Sequence, residues 1–278
     1  MQLIRTWGNR SFAQTAIYAL GRFAILRALV RQVRARLGFA GVAADARSRC
    51  VEPFDVDGAA RDLASDSVHT GLKLRDEVLR ELLDHIAQAQ CIEANPPRRI
   101  VDAALRSGNA TLAEPVILVD FVSEALAETT RRIARDEHLV AVASKLLGRE
   151  PRRVEIRVQE SLVAPADTAY REMRNQTVMF HYDVHGFGFV YAFFYLSDVD
   201  REAGAHELIR GSHRSKRLMH LLGSARRSDD EIYATYGRQR VLVVEGKAGC
   251  GFIEDTSCFH RALPPTRRSR LALQIRYA

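Results

Sequence analysis

Residues 180–200 have the sequence FHYDVHGFGFVYAFFYLSDVD, which predicts a strand around His181 and Asp183 and a second strand at 188–196. In a strand, side chains two positions apart leave from the same face. His181 and Asp183 are therefore expected to converge on one point, as an imidazole nitrogen beside a carboxylate oxygen.

A second imidazole comes from His260, far along the chain in the segment GCGFIEDTSCFH. Two imidazoles and one carboxylate form the facial triad that holds non-haem Fe(II) and leaves coordination positions open. We therefore predict that His181, Asp183 and His260 bind a metal ion and form the catalytic centre.

Arg270 opens the alternating, largely apolar run LALQIRY, which predicts the last strand of the chain. A guanidinium binds a carboxylate through two parallel hydrogen bonds, which an ammonium group cannot do. Arg270 is the candidate for holding the distal carboxylate of 2-oxoglutarate, with Arg267 and Arg268 as alternatives.

The order of these segments resembles the order of motifs in the Fe(II)/2-oxoglutarate oxygenases of the phytanoyl-CoA dioxygenase family. The resemblance covers roughly residues 150–278, with a looser match from about residue 55. It is carried by HYD at 181–183, LSDVD at 196–200, Gly204, RGSHR at 210–214, FIEDTSCFH at 252–260 and Arg270.

The resemblance implies a dioxygenase that uses Fe(II), 2-oxoglutarate and O₂. Such an enzyme forms succinate and carbon dioxide while it hydroxylates an unactivated C–H bond of a small molecule or biosynthetic intermediate. Halogenating relatives replace the carboxylate ligand by a small residue, so Asp183 favours hydroxylation. The family acts on acyl-CoA thioesters, amino acids, phosphonates and natural products, and the fold alone does not select among them.

Three further residues are candidates for the site. Gln159, in the strand RVQESL, corresponds to a position near the iron-chelating carboxylate of 2-oxoglutarate. Thr256 precedes the distal histidine and could hydrogen-bond the cosubstrate. His185 is two residues from Asp183 and shares its face, where it could contact substrate or pack in the core.

The other histidines of this half are expected to have no part in metal binding. His213 belongs to the GSH turn, which is mainly structural in the resembled family. His206 and His220 are predicted to lie on the surface.

Two other classes of protein remain open at this stage. One is a cupin-type metal dioxygenase without a cosubstrate, which would turn over in the absence of 2-oxoglutarate. The other is a non-catalytic jelly-roll metal protein that docks to a membrane or partner through an N-terminal helix, and it would show no Fe(II)-dependent 2-oxoglutarate binding.

The net charge of +7 has an uneven origin. Residues 1–44 contain seven Arg, no Lys and no acidic residue, so the remaining chain carries 34 basic and 34 acidic groups. Because the catalytic part is neutral overall, the charge does not predict a nucleic-acid partner. Four cysteines without CxxC spacing indicate reduced thiols and a cytoplasmic protein.

Residues 12–37 predict a basic amphipathic helix, with an apolar stripe at Phe23, Leu26, Val30, Val33 and Leu37. The helix could lie on an anionic membrane surface, contact a second copy of the chain, or pack on its own domain. It also resembles an organellar transit peptide, being Arg-rich and free of acids.

The chain is predicted to contain a basic helical segment at 1–45 and an oxygenase domain at 46–278. The domain combines a helical layer at 55–148, including helices near 57–65 and 74–90, with a jelly-roll core at 150–278. The stretch CIEANPPRR is predicted to be a loop, since two prolines cannot continue a helix. The fold class is α+β with a mainly β core, a double-stranded β-helix with flanking N-terminal helices.

Overall fold

The computed structural model describes residues 12–37, 48–96, 98–102, 114–174 and 176–278. Its strands are β1 (Val68–Lys73), β2 (Gln90–Glu93), β3 (Leu118–Val122), β4 (Val154–Ser161), β5 (Val190–Tyr195), β6 (His206–Ile209), β7 (Val241–Val244), β8 (Cys250–Glu254), β9 (His260–Ala262) and β10 (Arg270–Tyr277). Its α-helices are α1 (Phe12–Leu20), α2 (Ala24–Arg36), α3 (Val56–Asp66), α4 (Asp76–Gln88), α5 (Glu124–Ala134), α6 (Glu137–Leu147), α7 (Thr168–Met173), α8 (Leu218–Leu222) and α9 (Asp229–Tyr236).

Seven strands form one antiparallel sheet in the order β1-β8-β5-β10-β4-β3-β2. Strand β10 lies at its centre, between β5 and β4. The alternating sequence of β10 divides its side chains between the two faces of the sheet. One set joins the apolar core beneath the helices (Leu273, Ile275 and Tyr277), and the other lines an internal cavity (Arg270, Ala272 and Gln274).

The other three strands form a smaller antiparallel sheet in the order β7-β6-β9. An apolar cluster joins the two sheets, with Tyr195 and Phe252 from the large sheet against Leu208 and Val244 from the small one. Two antiparallel sheets packed face to face in this way form the double-stranded β-helix. The predicted fold is therefore confirmed.

Helices α3 to α6 cover the outer face of the large sheet, where Leu63, Leu82, Ile133 and Leu139 enter the same core as Ile275. The predicted helices near 57–65 and 74–90 are confirmed as α3 and α4. Local sequence fixes the start of α5 and the end of α6. The Ser123 side chain caps α5 by accepting from the amide of Leu126, and α6 ends at Gly148, whose φ of +69° favours glycine.

The N-terminal helix differs from the prediction, because it breaks at Gly21 into α1 and α2. A Cβ atom at Gly21 would collide with the backbone carbonyl of Gly186, so the chain approaches that loop more closely than any other residue would allow. The predicted apolar stripe is also divided. Leu26 and Val30 are half-buried, whereas Val33 and Leu37 are exposed.

Two predicted strand boundaries are wrong. The stretch CIEANPPRR contains most of β2, because residues before its prolines pair with β3. The predicted strand around His181 and Asp183 is not a full strand either, since residues 180 and 181 form only isolated bridges, whereas the strand predicted at 188–196 is confirmed as β5. The glycines at 186 and 188 interrupt the extended chain, and Gly186 has a φ of +94°.

Among the described helices, none combines the length and the apolar character needed to cross a bilayer. The predicted boundary at residue 45 lies outside the described residues, and the division of the chain there stays a prediction.

Candidate metal centre and its cavity

Backbone pairing brings the predicted ligands together. The amide of His181 donates to the carbonyl of His260 at 2.9 Å, and the amide of His260 donates back at 2.8 Å. The amide of Asp183 donates to the carbonyl of Thr256 at 2.9 Å. Residues 181–183 thus lie antiparallel to 256–260, so the alternation expected of a strand holds although the pairing is only a short bridge.

The three predicted ligand groups meet at one point. The Nε2 atom of His181 lies 4.0 Å from Asp183 Oδ1, and the Nε2 atom of His260 lies 3.9 Å from Asp183 Oδ2. All three donor atoms fall within 4.8 Å of one another, which is the reach of a single metal ion. The three predicted ligands therefore share one site.

Each imidazole is held in the tautomer that a metal ligand needs. The Nδ1 atom of His181 is 3.1 Å from the carbonyl of Met179, and the Nδ1 atom of His260 is 3.1 Å from the carbonyl of Cys258. A carbonyl only accepts, so both Nδ1 atoms carry the proton. The lone pair of each ring is consequently on Nε2, the atom that faces Asp183.

The protonation states also suit a cation. Burial lowers the pKa of His181 to about 3, with repulsion from His260 adding to the effect. Burial alone would raise the pKa of Asp183, but attraction to His260 and His181 outweighs it and leaves that pKa below its usual range. At neutral pH His181 is therefore a neutral imidazole and Asp183 a carboxylate, the forms that bind metals.

A second cluster of potential ligands, Glu254, Cys258 and His260, lies behind the first. Two of its members are already engaged, since the thiol of Cys258 donates to Glu254 Oε1 at 3.1 Å and His206 Nε2 lies 2.7 Å from Glu254 Oε2. Burial raises the pKa of the Cys258 thiol well above its ordinary value. A protonated thiol and an engaged carboxylate make this cluster a structural network.

A cavity of about 200 Å³ runs from the metal centre between the two sheets. One wall is aromatic, with Phe193 stacked on Phe252 at 4.8 Å and on Tyr191 at 5.5 Å between ring centroids. A single water molecule needs a cavity of only about 10–15 Å³. The space behind the metal centre is therefore open rather than filled by the protein's own side chains.

Arg270 lies in this cavity, buried, and donates to the carbonyl of Gly204 and to Ser161 Oγ, the latter at 3.1 Å. Within the described part of the chain, no carboxylate lies within ion-pairing distance of it. Burial lowers the pKa of Arg270, yet a guanidinium stays charged in proteins. An unpaired buried charge is costly, so this end of the cavity is suited to an anion.

The neighbouring arginines have other partners. Arg267 is paired with Glu202 and its side chain is 73% exposed, and Arg268 is paired with Asp200. Arg270 is thus the arginine of the three that faces the cavity. Ser161 was not among the site residues predicted from the sequence, although it lies directly opposite Arg270 in the pairing of β4 with β10.

The remaining candidates lie around the same space. Gln159 lines the cavity, and its amide donates to Asp120 Oδ1 at 3.0 Å. Thr256 is buried and also lines the cavity. His185 lies beside the site, with its Nε2 atom 3.9 Å from Asp183 Oδ2, but Arg276 donates to its Nδ1 at 2.8 Å. Its predicted contact with substrate stays a prediction.

Two histidines predicted to be exposed are buried. His206 stacks on His260 with 5.4 Å between ring centroids, and His220 is fully enclosed with its Nε2 atom 3.1 Å from Glu231. Carboxylates from other segments pair with both rings, which allows the rings to be buried. His213 lies away from the metal centre, as predicted, with Nε2 3.3 Å from the carbonyl of Ala64.

An outer cavity of about 930 Å³ adjoins the metal centre and shares His181 and Asp183 with it. Its walls include Tyr18 and Arg22, from the junction of α1 and α2, and Leu222 of α8. No local sequence signal connects these segments to the metal ligands, because only the folded chain brings them together.

The chain matches no protein-family model and no curated protein. Its fold is similar to that of EvdO2 from Micromonospora carbonacea var. aurantiaca in complex with 2-oxoglutarate, with 12% identity over 83% of this chain and 93% of EvdO2 and a TM-score of 0.51. It is also similar to HygX from Streptomyces hygroscopicus with nickel, 2-oxoglutarate and hygromycin B bound, with 14% identity over 80% of this chain and 86% of HygX and a TM-score of 0.50. At these identities the likeness shows a shared fold.

Proposed function

We propose that this protein is an Fe(II)- and 2-oxoglutarate-dependent dioxygenase of the phytanoyl-CoA dioxygenase type, which hydroxylates an unactivated C–H bond of a small molecule. One observation carries the proposal. The donor atoms of His181, Asp183 and His260 converge at one end of an open cavity in which the guanidinium of Arg270 is buried without a carboxylate partner among the described residues.

The donor set fits a ferrous ion. Two imidazoles and one carboxylate would occupy one side of a metal and leave its other positions open. When bound, the iron with 2-oxoglutarate and O₂ supplies the oxidising chemistry, in which one oxygen atom enters succinate and the other enters the hydroxylated product. The carbonyls of Met179 and Cys258 keep both ring lone pairs aimed at the metal position.

The cavity fits a small dicarboxylate. Arg270 would pair with the distal carboxylate, since its remaining N–H groups form two parallel hydrogen bonds with such a group. Ser161 and Gly204 hold the guanidinium in place, so little side-chain entropy is lost on binding. Gln159 and Thr256 line the same space and would contact the cosubstrate.

The outer cavity would hold the substrate, because it reaches His181 and Asp183 and does not contain Arg270, which lines the inner cavity. EvdO2 and HygX share the fold, and HygX binds the small molecule hygromycin B. A carboxylate at position 183 occupies the coordination position that a halide would need, which favours hydroxylation over halogenation.

Anaerobic titration with Fe(II) and 2-oxoglutarate tests the proposal. The expected result is a weak visible charge-transfer band that needs both additions and disappears in the His181→Ala variant. Candidate substrate pools that shift the band would identify the substrate class. A folded, iron-loaded protein that gives no band on adding 2-oxoglutarate would contradict the assignment and favour a cosubstrate-independent or non-catalytic protein.

A further inference from the structure

Two segments border the outer cavity, which is lined by residues 18, 19, 22 and 23 of the first and by residues 221–226 of the second. The N-terminal rim is residues 17–37, from the end of α1 through α2, and the α8 rim is residues 214–227. Arg22 joins them, since its guanidinium donates to the carbonyls of Leu221 at 2.9 Å and Gly223 at 2.7 Å. Both rims therefore border one opening that leads to the metal centre.

Both rims expose large apolar side chains. On α2, Ile25, Leu29 and Val33 follow one another at four-residue steps and form a single outward stripe, with Ile25 82% exposed. On the α8 rim, Leu218 and Leu222 are exposed in the same way, the latter at 70%. Several large exposed apolar side chains on segments that border one cavity are typical of an interaction site.

The N-terminal rim is held firmly on the domain by its opposite face. Arg27 of α2 forms a buried ion pair with Asp255 at 3.3 Å and donates to the carbonyl of His213 at 3.3 Å. The exposed stripe therefore cannot turn inward without breaking this pair. Its exposure is a fixed property of the fold.

The charge of both rims has one sign. Residues 17–37 contain five Arg and residues 214–227 contain four Arg and one Lys, and neither segment contains an acidic residue. Several of these cations are exposed, namely Arg36, Arg214, Arg217 and Arg226. The rest of the chain carries 31 basic and 34 acidic groups, so the excess of basic charge is concentrated in the two rims.

We propose that the N-terminal rim and the α8 rim bind the surface of an anionic lipid bilayer, which places the opening of the outer cavity against the membrane. Apolar side chains enter the boundary between headgroups and acyl chains, and the arginines contact the lipid phosphates. A second copy of the chain fits this surface poorly, because a two-fold dimer would bring the basic rims together. Nucleic acid fits it poorly too, since an aliphatic stripe offers no stacking for bases.

The proposal does not depend on the iron chemistry and can be tested with the full chain by vesicle co-sedimentation. The probes are phosphatidylcholine vesicles with and without roughly one-third phosphatidylglycerol, because the anionic lipid supplies the surface potential. We expect binding to the mixed vesicles at least about tenfold tighter than to phosphatidylcholine alone, and weakened when about 1 M salt shortens the screening length to about 3 Å.

Matched variants distinguish binding through this surface from nonspecific binding of exposed apolar residues to vesicles. Ile25→Ser with Leu29→Ser should reduce binding about tenfold or more, since each removes an apolar side chain from the interface. Leu218→Ser with Leu222→Ser should do the same. Val122→Ser with Val154→Ser removes two exposed apolar residues, at 49% and 42%, from strands outside both rims, and binding should be unchanged.

Four results would overturn the proposal. The first is equal binding of the native chain to both kinds of vesicle, and the second is undiminished binding by both rim variants. The third is a loss of binding by the strand variant as large as that of the rim variants. The fourth is a chain that ignores vesicles and forms a dimer that the rim substitutions dissociate, as sedimentation velocity would reveal. Circular dichroism of each variant checks that the fold is retained.

Discussion

Replacing Arg270 with Met separates the two roles that this side chain could have. In the structure the guanidinium is buried and contacts Ser161 and Gly204, but no carboxylate of the described residues balances its charge. If Arg270 anchors 2-oxoglutarate, the protein without cosubstrate carries an uncompensated charge that methionine removes. If Arg270 only ties β10 to its neighbours, methionine simply removes two hydrogen bonds.

The expected magnitudes follow from these contacts. An ion pair about 4 Å long at an effective dielectric constant of about 20 is worth about 4 kcal/mol, and hydrogen bonds to charged groups contribute about 1.5–3 kcal/mol. A loss of about 3 kcal/mol in cosubstrate binding corresponds to a Kd about 150-fold higher, at about 1.36 kcal/mol for each factor of ten. Without cosubstrate, the lost hydrogen bonds cost about 1–3 kcal/mol, offset by relief of a buried charge that costs several kcal/mol.

Thermal unfolding with and without 2-oxoglutarate measures both the stability of the protein without cosubstrate and the stabilisation that cosubstrate binding adds. With metal present and cosubstrate at about 100 times the native Kd, the native protein gains about 2.7 kcal/mol. For a chain of this size that is a rise in Tm of about 5–10 °C, at about 2–4 °C for each kcal/mol. Arg270→Met should show a rise below about 1 °C at the same concentration, since the ligand then stays below its Kd. Its Tm without ligand should match or exceed that of the native protein.

Arg268→Met is the matched control, because Arg268 is a neighbouring arginine paired with Asp200 outside the cavity. It should keep the full cosubstrate-dependent rise in Tm. Two results would refute the reasoning. One is an Arg270→Met protein that 2-oxoglutarate stabilises as well as the native one. The other is an Arg270→Met protein whose Tm falls steeply without ligand, which would make Arg270 a structural tie.

Three further predictions concern the metal centre and its surroundings. Asp183→Ala should weaken Fe(II) binding by more than about 100-fold in a chelator competition, because loss of an outer-shell contact alone costs about 10–100-fold; unchanged affinity would exclude Asp183 as a ligand. Burial alone would raise the pKa of Asp255, but attraction to Arg27 and a further contribution from its surroundings lower it to about 2. The unfolded pKa is about 3.9, so the pairing of Asp255 stabilises the fold by about 2 kcal/mol above about pH 4. This stabilisation is lost as the pH falls towards 2. The difference in the free energy of unfolding between the native protein and Arg27→Met, measured in urea, should therefore shrink over that range rather than stay constant. His206→Ala should lower the free energy of unfolding by about 3 kcal/mol, because it strips Glu254 of its buried imidazole partner; a loss below about 1 kcal/mol in the same assay would show that this pair contributes little.

The metal ligands were predictable because their geometry follows from local rules. The alternation of an extended chain places His181 and Asp183 on one side, and this holds even where the backbone forms only a bridge and not a full strand. Arg270 was preferable to its neighbours because it begins a strand whose even positions face inward. The order of motifs in the second half of the chain was enough to predict the two-sheet core.

The errors share a different physical origin. His206 is buried because Glu254, 48 residues away, pairs with it, and His220 is buried because Glu231 on the next helix pairs with it. The break at Gly21 depends on close approach to Gly186, far along the chain. For the same reason the sequence indicated an amphipathic N-terminal segment but not that it forms one wall of the outer cavity.

One short segment, residues 254–258, connects these parts of the molecule. The side chain of Asp255 holds α2 through Arg27, whereas the next residue, Thr256, fixes Asp183 through its carbonyl. The carbonyl of Cys258 orients the ring of His260. The docking of the N-terminal rim and the orientation of two metal ligands therefore depend on neighbouring peptide groups. Displacing α2 from the domain would break its ion pair with Asp255, one residue from the carbonyl that positions Asp183, so the attachment of the N-terminal rim and the geometry of the metal centre are expected to change together.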